Sequence, residues 1–537
     1  MSGTADVIII GAGHNGLITA FYLARAGFRP LILESRDLTG GCAANETFAP
    51  GYQAPLANSV GPLRASVARD MALGRTVTFI RPDPRLVALG PNGHALVFAT
   101  DPVRTAEAIR PFSEKDATAY PEFCAILGRL GGFLGDLLEM TPPDIDSPAA
   151  GELWELLKAG RRFRALGKKD SFRLLRWGPM AAADLVAEFF ETDLLQAAVA
   201  TRGVFGTAQG PWSAGSGAVL LLNAAIDPAP GGSSVTVKGG PAALAKGMTE
   251  SVRSAGVQIR TGARVARVIV EEDRAVGVIL EDGTEIRARA VISNADPRRT
   301  FLDLVDPVNL DPGFMTKVRN YRMRGTVAKV HLALGGLPVF DGVANPADLH
   351  GRIIIAPGID YLERSFDASK YGQIPQHPYL DFTIPTLSDP SLAPMGKHVL
   401  SAHVQFVPYK VAGGTHWDQH RSDLAAVVLR ALEQYAPGIG GMVEAAQVLL
   451  PSDLERSYGL TGGQIYHGEP SLDQLFTMRP ILGWAQYRTP IDGLFLCGSG
   501  THPGGGVTGC SGHNAAHRIL KDRRRARRPW RRRAVAG

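Results

Sequence analysis

Cysteine is scarce in this 537-residue chain. The four thiols are Cys42, Cys124, Cys497 and Cys510. No CxxC or CxxxxC joins them, which excludes a zinc ribbon and a disulphide framework. Reduced thiols fit a cytoplasmic setting. Long apolar runs are also missing. The longest, "GAVLLLNAAI" (Gly217–Ile226), falls well short of the roughly 20 residues a membrane-spanning helix needs. The opening "MSGTADVIII" has no basic segment and leads straight into a strand, so neither signal peptide nor presequence is expected. The 13 histidines are scattered and no HExxH occurs, so no metal site is expected. No internal repeat or low-complexity tract appears. The basic balance is local too. Nine Lys or Arg and one Asp lie between Lys521 and Arg533, which accounts for more than the whole net charge of +6. The rest is near neutral, which argues against a nucleic-acid partner.

What remains is an ordinary globular composition, 45% hydrophobic and 20% charged, on a chain long enough for two intermingled domains. Near its start, "DVIIIGAGHNGLITAFYLARAGFRPLILE" reads as strand Val7–Ile10, a GxGxxG loop (Gly11, Gly13, Gly16), a helix from about Asn15 to Ala26, and strand Pro30–Leu33 ending on Glu34. Gly11 permits the tight turn. Gly13 lets a pyrophosphate approach the backbone, and Gly16 lets helix and strand pack closely. The helix N-terminus offers free N–H groups to phosphates, and Asn15 stands there. Glu34 can accept hydrogen bonds from ribose hydroxyls and repels a 2′-phosphate. The unit predicts a dinucleotide site, with FAD and NAD both open at this point.

The next stretch, "ESRDLTGGCAANE", favours FAD. Gly40-Gly41 resembles the segment that FAD oxidoreductases place beside the pyrophosphate. Arg36 is a candidate phosphate contact. Cys42 is read as a small buried residue rather than a flavin tether. In the middle of the chain a helix, about Ala242–Ser254, precedes strands Val257–Thr261, Ala263–Glu271 and Ala275–Glu281, a turn, and the strand "AVIS". This resembles the segment in which such enzymes read the adenine edge with backbone groups near Val265. Finally "GLFLCGSGTHPGGGVTGCSGHNAAHRIL" (Gly493–Leu520) reads as a closing strand Leu494–Cys497, a glycine loop Gly498–Gly506, and a helix from about Thr508. That helix would aim its positive end at the flavin N1/C2=O edge, where reduced flavin is anionic. Residues from both ends of the sequence would thus close one cofactor site.

On these motifs the chain resembles the phytoene desaturase-type FAD oxidoreductases over nearly its whole length. It is similar above all to the group called pyridine nucleotide-disulphide oxidoreductase domain-containing protein 2. That likeness includes "IPTLSDPSLAPMGKHVLS" (Ile384–Ser401), "PSDLERSYGLTGGQIYHGEPSLDQLFTMRP" (Pro451–Pro480) and "LFLCGSGTHPGGGVTG". A disulphide reductase needs a redox cysteine pair and a second dinucleotide fold, and the sequence offers neither. The desaturases commonly have arginine after the GG pair, where this chain has Cys42.

The resemblance implies an α/β fold: a glutathione-reductase-type, Rossmann-like FAD domain with an inserted α+β substrate domain. The FAD domain is expected at 1–65, 231–299 and 460–520, the substrate domain at 66–230 and 300–459. Residues 521–537 are expected to form a basic disordered tail. The cofactor residues expected are Gly11, Gly13, Asn15, Gly16, Glu34, Arg36, Gly41, Val265, Gly498, Gly505, Gly506 and Val507. The expected activity is hydride transfer from an apolar substrate, an isoprenoid among the candidates, to non-covalent FAD, with NADH and NADPH as poor reductants. A flavin amine oxidase-like enzyme and a non-catalytic FAD-binding protein are the alternatives. Catalytic residues are not apparent: His502 and His467 are weak candidates, followed by Glu469, Tyr466 and Arg479. Lys158–Trp177 alternates basic and apolar residues. It is read first as a helix packing one face inward, second as a contact with an anionic bilayer beside the cavity entrance.

Overall fold

Val7–Ile10 forms the centre of a five-stranded parallel sheet in the computed structural model, which describes residues 5–61, 63–414 and 417–526. The strand order is Leu494–Leu496, Ala290–Ser293, Val7–Ile10, Pro30–Leu33, Gln258–Arg260. A parallel sheet needs cover on both faces. Side-chain alternation supplies it: Val7, Ile9, Ile32 and Ile292 point one way, Ile8, Ile10, Leu31, Leu33 and Val291 the other. On the first face lie helices His14–Arg25, Gly240–Ser254 and Cys510–Ala526, through Leu17, Phe21, Leu244, Met248 and Ile519. On the second lies the antiparallel sheet Val265–Glu271, Arg274–Leu280, Glu285–Arg287. The fold is therefore the α/β architecture expected, with the strand at residue 494 beside the one at residue 290.

A second sheet has seven strands, in the order Val443–Leu449, Val327–Leu334, His398–Gln405, Tyr379–Thr383, Arg352–Ile355, Leu86–Leu89, Ala95–Phe98. Only the contact of Arg352–Ile355 with Leu86–Leu89 is parallel. Ala328, Val330, Leu332, Leu380, Phe382, Leu400, Ala402 and Val404 form one apolar face, covered by helix Arg421–Glu433. On the other face Leu86, Ala88 and Ile354 meet a helical layer that includes Glu114–Glu139, Asp193–Val204 and Ser216–Ile226.

Packing moves the expected boundaries. Val67, Met71, Leu73 and Val77 join the core around Ile9 and Leu17, and Phe301, Phe314 and Val318 join the core around Val268 and Val291. Segments 66–77 and 300–320 thus bury their apolar sides with the five-stranded sheet. Hairpin Asn45–Pro55 goes the other way, placing Tyr52 and Ala54 on Ala333 and Val399. The last helix continues to Ala526, so residues 521–526 are helical rather than tail, and 527–537 lie outside the described residues. The Lys158–Trp177 stretch is broken: helix Ala150–Ala165 ends before Gly167, whose φ of +78° starts Gly167–Trp177. Trp177 is buried, and Leu166 and Leu174 pack on the helical core. Leu153, Trp154, Leu157, Phe172 and Leu175 remain exposed.

Candidate active site

A cavity of about 1010 Å³ is bounded by both sheets. On the five-stranded side it is made largely of backbone. Gly11 adopts φ +94°, open to glycine at little cost, and its N–H donates to the Leu33 carbonyl (2.8 Å). Gly13 caps helix His14–Arg25 and no side chain satisfies that end, which leaves its first N–H groups for a ligand. The buried Glu34 carboxylate accepts from the N–H of Ala12 (2.7 Å), the N–H of Arg36 (2.9 Å) and Ser35 Oγ (3.2 Å). It thereby ties the glycine loop to the strand end.

Gly11, Gly13, Asn15, Glu34, Arg36, Gly41, Val265, Gly505, Gly506 and Val507 all line this cavity. Gly16 and Gly498 are not on its wall. A Cβ on Gly16 would stand 2.3 Å from the Gly11 carbonyl oxygen, and one on Gly498 2.6 Å from that of Asn294. Both glycines serve backbone packing behind the wall. Asn15 acts as a staple: its Nδ2 donates to Ser499 Oγ (3.0 Å) and its Oδ1 accepts from the Gly512 N–H (3.1 Å). Thr19 Oγ1 donates to the Gly512 carbonyl (3.0 Å). Residues 15 and 512 are thus held together at the mouth of the loop.

The wall fits a flavin dinucleotide. His14 Nε2, Tyr458 Oη and His467 Nδ1 are buried on it with no hydrogen-bond partner among the described residues. Such groups are costly unless a ligand meets them. Burial pushes His14 and His467 down to about 4, so both are neutral at pH 7. Burial lifts the Cys42 thiol to about 12, which removes the thiolate a tether would need.

His502 is displaced from the chemistry. Its Nε2 lies 3.1 Å from the Leu137 carbonyl oxygen, its ring stands edge-on to Phe476, and it is absent from the cavity wall. Arg479 is neither a surface residue nor on the wall: it donates to the carbonyls of Tyr466 (3.0 Å), Ser499 (2.8 Å) and Thr501 (3.3 Å), clamping two loops. Glu469 accepts from the Ala208 N–H (2.9 Å) and pairs with Arg322 (3.1 Å), also behind the wall. Tyr466 and His467 do line the cavity.

The seven-stranded side is made of side chains, and sequence reasoning missed it. Alternation puts Lys329, Tyr379, Asp381 and His403 on the face opposite the apolar core. Register sets Lys329 beside His403 and His403 beside Asp381 in one cross-strand row. Lys329 Nζ donates to Asn58 Oδ1 and lies 3.4 Å from His403 Nε2. Burial drives Lys329 well below the usual lysine range, although Asp381 pulls the other way. Burial likewise depresses His403. Arg352 grips Asp381 with Nε (3.1 Å) and Nη2 (2.5 Å). Burial works against the Arg352 charge, but Asp381 outweighs it and raises the pKa. The available signal was a polar residue at every second place in strands otherwise apolar: "AKVHLAL", "YLDFT", "LSAHVQ". No residue of Lys158–Trp177 is on the cavity wall.

Known proteins share this organisation. The chain is 36% identical to pyridine nucleotide-disulfide oxidoreductase domain-containing protein 2 of Rattus norvegicus, over 96% of this chain and 93% of that one. It is 27% identical to the hydroxyneurosporene desaturase of Rhodobacter capsulatus, over 97% and 99%. A putrescine oxidase variant of solved structure superposes with a TM-score of 0.61 at 16% identity, over 97% and 98%, a likeness of fold. Residues 16–520 match the model of the flavin containing amine oxidoreductases. With the dinucleotide loops, the stapled helix ends and the unpartnered polar wall on one cavity, the chain belongs to the flavin containing amine oxidoreductase family and is an FAD-dependent oxidoreductase.

Proposed function

We propose that this enzyme dehydrogenates an amphiphilic substrate, which gives up a hydride from one C–H and a proton from the neighbouring atom. One observation carries this reading: a single cavity joins the glycine loops to the polar row Lys329–His403–Asp381. The flavin, when bound, supplies the hydride acceptor. Lys329, whose charged form burial disfavours, takes the proton, so the substrate gains a double bond as the two hydrogens depart. Asn58 and His403 hold its amine in place. Leu56, Phe205, Ile226, Val327 and Ile465 offer the apolar part of the wall and exclude water around the reacting carbon. The desaturase named above supports a carbon–carbon product.

Oxidation of an amine is the second reading, favoured by the family match. It is disfavoured by the buried, unpaired Arg202 guanidinium on the wall, which repels a cationic amine. Anaerobic flavin bleaching by candidate substrates tests the proposal. Lys329→Met is expected to keep its FAD and to bleach at least about tenfold more slowly. Unchanged bleaching in that variant would remove Lys329 from the chemistry, and bleaching by small amines alone would transfer the activity to the second reading.

A further inference from the structure

Arg202 is a buried cation without a carboxylate of its own, because the nearby Asp227 is paired with Arg85. It lines the cavity at 8% exposure and forms no ion pair with a carboxylate among the described residues. Its Nη1 donates to the Ala229 carbonyl (2.6 Å), and its Nη2 to those of Asn223 and Asp227 (2.6 Å each). Three of a guanidinium's five N–H groups are thereby used, and the three carbonyls fix its position. Its neighbours are treated differently. Arg352 is neutralised by Asp381, and Arg85 by Asp227 (3.3 Å). Burial lowers Arg202 to about 10, with Asp227 acting in the opposite sense and Arg352 adding to the fall, so it keeps its charge at pH 7. An isolated buried charge is costly unless something pairs with it.

A second group faces the same space without a partner. Tyr379 is fully buried, lines the cavity, and its hydroxyl makes no hydrogen bond among the described residues. Thr201 comes near it but gives its own hydroxyl to the Ala198 carbonyl (2.7 Å). Arg202 and Tyr379 both feel the charge of Arg352. Gly232, at φ +72°, brings the two guanidiniums together: a Cβ there would stand 3.1 Å from Arg352 Nη1 and 3.5 Å from Arg202 Nε. In this cluster Arg85, Arg202 and Arg352 stand against Asp227 and Asp381, which leaves one surplus positive charge beside a free guanidinium edge and a free phenol.

We infer that the cavity selects substrates bearing a carboxylate, held by the Arg202 guanidinium and the Tyr379 hydroxyl. The inference rests on the reading above, in which this cavity is the substrate site of a flavin oxidoreductase, and adds the headgroup. A singly charged carboxylate matches the surplus charge, and its two oxygens match the two donors. The apolar wall then takes the remainder of the molecule.

Calorimetric titration of the FAD-loaded protein with sodium octanoate, octanol and octylamine, at one ionic strength, tests it. Octanoate is expected to bind at least tenfold more tightly than either of the others. Arg202→Gln should weaken octanoate tenfold or more and leave octanol unchanged. Because Arg202 also holds three carbonyls, its variant can fail to fold. Tyr379→Phe loses a hydroxyl that holds nothing in the fold, and should weaken octanoate three- to tenfold with FAD content unaltered. Equal binding of octanol or octylamine, or octanoate binding indifferent to Tyr379→Phe, overturns the carboxylate and leaves the dehydrogenase reading standing. A chain that purifies without flavin overturns both.

Discussion

The two sheets that bound the cavity meet it with different parts of the polypeptide. The five-stranded sheet offers backbone: a glycine turn, an uncapped helix end, and one carboxylate that organises both. The seven-stranded sheet offers side chains that are charged or titratable, and buried: Lys329, Arg352, Asp381, His403. A phosphate-bearing cofactor is common to many enzymes, and backbone N–H groups bind it whatever the neighbouring side chains are. A substrate is particular, and only side chains can be particular. The first surface should therefore fail by losing cofactor, and the second by losing stability or selectivity.

The largest effect expected is on the second surface. Asp381→Asn leaves Arg352 buried without a counter-charge and should cost about 3–5 kcal/mol of folding stability in chemical denaturation. A loss under 1 kcal/mol would mean that the pair is open to water and that the contrast is overdrawn. Glu34→Gln comes next. It sets an amide where two backbone N–H groups now converge, and should weaken FAD by about 100-fold in a fluorescence titration, with the apoprotein still folded. If FAD stays while the fold is lost, Glu34 belongs to the core rather than to the cofactor.

His502→Gln probes the joint between the two. Burial lowers this histidine from 6.5 to about 4. Between those values the unfolded chain binds a proton that the folded chain refuses, so stability is full above pH 6.5 and drains as the pH falls toward 4. The variant should lose about 3 kcal/mol less than the parent over that range, with its rate of flavin bleaching at pH 7 unchanged. A large fall in that rate would return His502 to the chemistry. The smallest effect lies on a third surface. Exposed Leu157, Phe172 and Leu175 stand among exposed Arg161, Arg164, Lys168 and Lys169. Flotation with anionic liposomes at low salt should recover the protein, and the double variant Phe172→Ser, Leu175→Ser should recover about tenfold less, as should high salt. A protein that never floats would confine this patch to solvent. Among the described residues no helix is long and apolar enough to cross a membrane.

The same contrast explains what could be read before the fold was known. Backbone recognition leaves a linear trace, because glycines must stand at set intervals: Gly11, Gly13 and Glu34 lie within one stretch, and strand Val7–Ile10 matched residue for residue. Recognition by side chains leaves almost none. Residues 202, 329, 352, 381 and 403 belong to a helix and four strands, and only the sheet register brings Lys329, His403 and Asp381 into a row. His502 shows the reverse error. It adjoins the glycine loop in sequence, yet its ring turns to a carbonyl on helix Glu114–Glu139, 365 residues away, which no local pattern announces. The domain boundaries slipped for a related reason: Phe301 and Val67 read as apolar, but nothing in an apolar residue says which core will take it.

The Asn15 staple has a consequence for biosynthesis. Its partners, Ser499 and Gly512, are 484 and 497 residues further along. A ribosome delivers residue 15 long before residue 512, so the nascent chain carries an open cradle for most of translation. The Asn15–Gly512 half of the staple can form only after the helix beginning at Cys510 has emerged. A message truncated between the codons of Glu34 and Cys510 would yield a polypeptide with every glycine of the first motif and without the Gly512 end of the staple.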